Sequence, residues 1–314
     1  MSQNCPGCGF PRISKANRPD FIIPFKISKE DAIRQFQESV GNGFFVSKSF
    51  KEIDPECVRG IYLPADLYSG DFAGAQERYD SEKEINVQRV GKCQFVSLPV
   101  FSCSMMPEAL SLALEPYYFA QAEEFNSSYL MGFYADIADI PSEDTIVTAK
   151  EKAAKMFISR LWDENLEIAD PEEFLRPVPK FKSENSLEKV GSAMLPVWFI
   201  TVRYEGRPHT FLINGQTGKV AGTAPWNKAR FWGLFALCCL LYTLIIVACI
   251  AVILSGEDAA SDPDAVFNAI FMLAGGAVAA YRARKALVDF NEHASHTYRS
   301  DTFIFVKKRQ GDQK

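Results

Sequence analysis

Cys5 and Cys8 are the residues of this chain whose types and spacing most directly suggest chemistry. They stand in Cys5-Pro6-Gly7-Cys8-Gly9, a C-P-x-C-G pattern. Two thiolates two residues apart grip one zinc ion, and a following glycine lets the backbone turn tightly behind the metal. A structural zinc takes four ligands, yet no second C-x-x-C occurs, and Cys57, the next cysteine, stands alone. Cys5 and Cys8 are therefore expected to supply half of a tetrahedral site. A homodimer in which both chains contribute the pair would complete it, with zinc as the one cofactor in view.

Nothing else in the chain has the makings of a catalytic constellation. A nucleophilic enzyme needs Ser or Cys, a base, and a group that orients the base. No G-x-S-x-G is present, and the chain has 3 histidines. His209, beside Pro208 in a strand-like stretch, reads as a strand-surface residue. His293 and His296 would meet on a helix face, but no third metal ligand accompanies them. Glu123-Glu124 and Glu172-Glu173 fall at turns or helix starts and read as solvated carboxylates, while Tyr62, Trp162 and Trp198 read as core. The chain is expected to be non-enzymatic, with no catalytic residue. Its formal net charge of −5 leaves no broad basic footprint for nucleic acid.

The positioning elements begin at residue 19. Ser28 is placed to cap a helix, with Asp31 at the capping-box position, and Ala32, Ile33, Phe36 and Val40 follow helical spacing. A second helix is expected to open at Thr148, with Ala153, Ala154, Phe157 and Leu161 on one face. Each helix leads to a strand that starts alike, Ile61-Tyr62-Leu63-Pro64 and Ala193-Met194-Leu195-Pro196. After the second, Trp198, Ile200 and Val202 alternate, Glu205-Gly206 turns, Thr210 to Ile213 returns, and Asn214-Gly215-Gln216-Thr217-Gly218 turns again. The expected fold is α+β: two copies of a helix-plus-antiparallel-sheet unit, at residues 19–147 and 148–226, behind a knuckle at 1–18.

Residues 231–254 carry no charge and would span about 36 Å as a helix, against a bilayer core of about 30 Å. A second apolar stretch, 265–281, has Gly275 and Ala279, and Gly276 and Ala280, spaced for close helix packing. The connector is acidic (Glu257, Asp258, Asp262, Asp264), whereas Arg207, Lys219, Lys228 and Arg230 precede the first stretch and Arg282, Arg284 and Lys285 follow the second. Lysine and arginine stay cytoplasmic. The expectation is a transmembrane helical hairpin over 227–285 in the lipid bilayer of the inner membrane. Both termini, including a tail at 286–314, would be cytoplasmic. No apolar core of a signal peptide is visible in the first residues. Trp226 and Trp232 would anchor at the headgroups, and Phe303 and Phe305 suggest a final strand.

The segment Tyr204 to Val220, closing in N-G-Q-T-G-K-V, is similar to the end of PepSY-type modules, a likeness extending over residues 148–222. More broadly, CPGCGFP, RPDFIIPFKISKEDAI, SKSFKEI, VRGIYLPADLY, LSLALEPY, YLMGFYADI and MLPVWFITVRYEGRPHTFLINGQTGK resemble a bacterial family of zinc-ribbon (TFIIB-type-like) membrane proteins. Some members are mislabelled as primosomal helicases. In that family a first C-x-x-C precedes the knuckle, and here that half is absent. The resemblance implies Cys5 and Cys8 as zinc ligands and a flotillin-like (SPFH) membrane-scaffold protein as partner. The helicase label does not fit, since no G-x-x-x-x-G-K-[ST] is present to cradle ATP phosphates. The function expected is a membrane-anchored, non-enzymatic scaffold or recruitment protein of the bacterial envelope. The alternative is a PepSY-like regulator or inhibitor of an envelope protease or hydrolase.

Overall fold

The computed structural model describes residues 18–42, 45–52, 54–80, 85–162, 184–225 and 227–255. The fold is α+β, built on one mixed nine-stranded sheet. In chain order the elements are β1 (Phe21–Ile22), α1 (Lys29–Gly41), α2 (Lys48–Lys51), β2 (Cys57–Asp80), β3 (Ile85–Phe101), α3 (Glu108–Leu114), β4 (Glu123–Glu124), β5 (Tyr134–Ala135), α4 (Ser142–Leu161), β6 (Glu184–Asn185), β7 (Glu188–Tyr204), β8 (Arg207–Asn214), β9 (Val220–Ala221) and α5 (Lys228–Ser255).

The two look-alike strands found in the sequence are sheet neighbours. Pro64 faces Met194 and Ala65 faces Ala193 across an antiparallel β2–β7 ladder that runs from Cys57–Thr201 to Ser69–Glu188. The expected pair of separate units is thus corrected to a single sheet. The order across it is β3-β2-β7-β1-β4, with β8 on β7. β2 is long enough to hold β5 and β3 along one edge and β7 and β6 along the other.

Strand side chains alternate between faces, and here both faces are buried. Ile61, Leu63, Ala65, Leu67, Leu195, Val197 and Phe199 pack with Leu110 and Leu114 of α3. Trp198, Ile200, Val202, Phe211 and Ile213 point the other way, onto Ala32, Phe36 and Val40 of α1 and Phe50 of α2. Ser28 Oγ accepts from the Asp31 N–H at 3.0 Å, so the predicted cap forms. The predicted hairpin forms as well: Tyr204 pairs with Arg207, and Glu205 (φ 49°) and Gly206 (φ 76°) make the two-residue turn with both central φ values positive that suits strand twist.

α4 begins six residues before the expected Thr148, at Ser142 after Pro141. Proline followed by Ser-Glu-Asp is itself a helix-start signal, with acids in the first turn favoured by the helix dipole. Three of the four expected residues, Ala153, Phe157 and Leu161, are buried with Ala149 against Tyr68, Phe72, Leu98 and Val100, whereas Ala154 is half-buried at the edge of this face. They seat on the cross-strand pair Gly74–Gly91. A Cβ at Gly91 would come within 3.0 Å of Leu161 Cδ1 and one at Gly74 within 3.2 Å of Phe157 Cε1, so these side chains would have to give by a few tenths of an ångström.

Among the described residues no helix is long and apolar enough to cross a membrane. The expected second span, 265–281, and the tail at 286–314 lie outside the described residues. The transmembrane hairpin is corrected accordingly, and with it the multi-pass inner-membrane placement. The described fold ends in one helix.

One polar contact in the core has a calculable consequence. Lys152 of α4 is 3% exposed; its Nζ pairs with Glu115 and donates to the Pro99 carbonyl at 2.5 Å. Burial holds the Lys152 ammonium below its usual range, opposed by Glu115. Burial likewise raises the Glu115 carboxyl, opposed by Lys152 and Lys219. Removing one member of a buried pair costs more than the pair contributes. Lys152→Met is expected to lose about 3 kcal/mol at pH 8. Without the ammonium, Glu115 binds a proton in the folded state at a pH where the unfolded chain does not. The variant's stability is then highest below the ordinary glutamate range and is lost as pH rises through the raised folded value. Urea unfolding should therefore show a smaller deficit against the natural chain at pH 5 than at pH 8.

Candidate interaction surface

The polar side chains that the fold brings together are occupied with one another. Asp66 of β2 is 4% exposed. It accepts from Thr145 Oγ1 at 2.8 Å and pairs with Lys189 Nζ at 2.8 Å. Lys189 also donates to Ser142 Oγ at 2.8 Å, and the Tyr68 hydroxyl meets Thr145 Oγ1 at 2.7 Å. Ser, Lys, Tyr and Asp within reach of one another could suggest a nucleophile and its base. However, an ammonium paired to a carboxylate donates and has no lone pair to accept a proton. Burial, and then the Asp66 carboxylate, push the Tyr68 hydroxyl up, so it stays a donor. The cluster fastens the first turn of α4 to β2.

A second cluster fastens the N-G-Q-T-G turn. Asn214 is fully buried; its Oδ1 accepts from the N–H groups of Gln216 (2.8 Å) and Thr217 (3.0 Å). Its Nδ2 donates to the carbonyls of Leu114 (2.9 Å) and Pro116 (3.0 Å). Gly218, at φ 78°, closes the turn with its N–H on the Asn214 carbonyl at 2.8 Å. This turn is therefore a clasp on the end of α3.

The residues singled out from the sequence are dispersed. His209 is 3% exposed, which corrects the surface assignment: it lies edge-on to Phe50 and Tyr204, and burial lowers its imidazole below the usual range. Glu123 and Glu124 are exposed in β4. Tyr62 and Trp198 are core residues, and Trp162 lies under the Arg89 guanidinium at 4.8 Å. Cys5, Cys8, Glu172, Glu173, Trp226, His293 and His296 lie outside the described residues. Among the described residues no group of three or more His, Cys, Asp or Glu could hold a metal ion. Cys57 and Cys103 are buried in the α3 core, and burial followed by Asp71 raises the Cys93 thiol. A protonated thiol is a poor metal ligand. The zinc-ribbon reading is corrected to this extent: the described fold contains no such site.

α5 differs from the rest of the molecule. Its start is built into the domain. Asn227 Oδ1 accepts from the Arg230 N–H at 3.0 Å, the Asn227 N–H donates to the Phe45 carbonyl at 2.7 Å, and Phe231 meets Phe45 edge-on with centroids 5.4 Å apart. Beyond that root its large apolar side chains are exposed. Trp232, Leu234, Leu237, Leu240, Leu241, Leu244 and Val247 are each 40–62% exposed. Elsewhere in the domain the exposed large apolar residues are scattered, which is ordinary. A contiguous apolar row of this kind marks an interaction surface. Sequence reasoning missed Asn227, although an asparagine just before an apolar run is a helix-start signal.

No family model matches the chain. The chain is similar to a Bacillus subtilis (strain 168) protein, "Uncharacterized protein YdjG", at 26% identity over 251 residues, covering 72% of this chain and 69% of that protein. No solved structure matches.

The root of α5 is testable by itself. Asn227→Ala removes the side-chain cap, a change worth about 1 kcal/mol. Hydrogen exchange at the Arg230 amide should accelerate roughly five-fold while β2 and β7 amides keep their rates. An unchanged Arg230 amide would mean that the cap does not hold the helix start.

Proposed function

We propose that this chain is a non-enzymatic scaffold or recruitment protein, in which the α+β domain is a rigid recognition body and α5 is the element that brings it into an assembly. The exposed leucine row on a helix rooted in a packed domain carries this reading. Removing apolar surface from water is favourable by roughly 25 cal/mol per Å², so such a row is stable when covered. The polar clusters support it from the other side, since Asp66, Lys189, Ser142 and Lys152 are engaged in fastening helices to the sheet. The partner class that the sequence resemblance suggests is a flotillin-like (SPFH) scaffold protein.

Co-expression of the tagged full-length chain with a flotillin-like protein tests the reading. The two should pass size exclusion as one complex of fixed stoichiometry. Leu237→Asp with Leu241→Asp should reduce its mass by breaking the assembly, while the domain keeps its melting temperature within about 2 °C, as surface changes usually do. Elution of the natural chain alone, with no associated protein, would contradict the proposal.

A further inference from the structure

His209 lies under a cover that reaches the root of α5. The residue is 3% exposed on β8, and Phe50 of α2 meets it edge-on, with ring centroids 5.5 Å apart. Phe50 also meets Tyr204 at 5.2 Å and Phe211 at 6.1 Å. A helix as short as α2 is not stable in water by itself, and the Ser47 side chain does not cap it. It is seated by Phe50 and by Val46, both buried, with Lys51 Nζ on the Gly41 carbonyl. Next to Val46 in the chain, Phe45 accepts the Asn227 N–H and meets the Phe231 ring. One short stretch, 45–51, therefore covers His209 at one end and holds the start of α5 at the other.

We propose that His209 is an acid-sensitive latch: a proton on its imidazole lifts Phe50 and α2, and the movement of Phe45 with them loosens the root of α5. Histidine is the side chain whose ordinary titration falls near neutrality, and a charge beneath a cover of aromatic rings is cut off from water. Its own hairpin presents Glu205 and Arg207, of opposite sign. Lys48 and Lys51 stand on α2, with Glu52 at its end. Arg203 of β7 is paired with Glu56 at 3.0 Å, and on α1 Arg34 lies between Asp31 and Glu38. Burial outweighs a hydrogen bond at the Tyr204 backbone and the attraction of Glu205, so the covered ring takes a proton less readily than an exposed one. The closed latch is thus fully stable above the ordinary histidine value of about 6.5. It is weakened as pH falls below that value, by at most about ten-fold per pH unit for one proton. The inference stands apart from the scaffold reading, since it concerns how α5 is seated on the domain.

Hydrogen exchange of the full-length chain alone, with rates corrected for the intrinsic effect of pH, tests the latch. Between about pH 7.5 and about pH 5.5, protection at the Lys51 and Asn227 amides should fall about five-fold, while amides of β2 and β7 keep theirs. His209→Gln and His209→Phe should each abolish the fall. Unchanged protection in the natural chain, a fall of the same size in either variant, or a loss in β2 and β7 in step with Lys51 would overturn the proposal. Should the variants fail to fold, the ring-proton resonance of His209 in the natural chain decides. It should titrate with the same midpoint as the exchange, and a different midpoint overturns the latch.

Discussion

The ladder between β2 and β7 is the constraint on which the remaining structure depends. It joins residues more than a hundred positions apart in sequence, and on either edge it hands over to the other strands: β3, β5 and β6 attach to β2, and β1 and β8 to β7. Because both faces of this pair are buried, its register is tightly set. A one-residue slip would exchange Leu195, Val197 and Phe199 for Trp198, Ile200 and Val202, presenting α3 with the set shaped for α1. The helices are thus seated by side chains that the β2–β7 register aims.

Polar groups inside this frame are spent on holding elements together. Asp66 ties α4 to β2 and Asn214 ties the last turn to the end of α3; Lys152 ties α4 to the chain around Glu115. A buried polar group without partners is costly, so these contacts are what permit Asp66, Asn214 and Lys152 to lie inside. The arrangement separates two kinds of surface. The domain closes on itself, whereas α5 leaves it at Asn227 with its largest side chains outward.

Local features were legible in the sequence. The Ser28–Asp31 cap, the α1 face through Phe36 and Val40, the α4 face through Phe157 and Leu161, and the Glu205-Gly206 hairpin depend on residues a few positions apart, and spacing alone reveals them. Non-local features were not. The resemblance between the two helix-strand stretches suggested two independent units, whereas the strands lie side by side, and periodicity carries no information on which strand neighbours which. His209 looked superficial because its strand is short and polar on paper; Phe50 of α2 covers it. The burial of Lys152 has no local signal, because its partners Glu115 and Pro99 stand 37 and 53 positions away. The apolar run at 231–254 invited a bilayer reading from its length, its lack of charge and its basic flanks, and the C-P-x-C-G pattern invited zinc. The described fold supplies neither the paired spans nor the missing ligands.

Hydrogen exchange of the full-length chain, alone and in complex with the co-expressed flotillin-like protein, tests the central claim most directly, that α5 is an assembly element on an otherwise closed domain. The account predicts that amides between Leu234 and Leu244 become slower in the complex, while amides of β2 and β7 keep their rates. Exchange in α5 that is the same with and without the partner, or protection of β2 and β7 that rises together with it, would contradict the account.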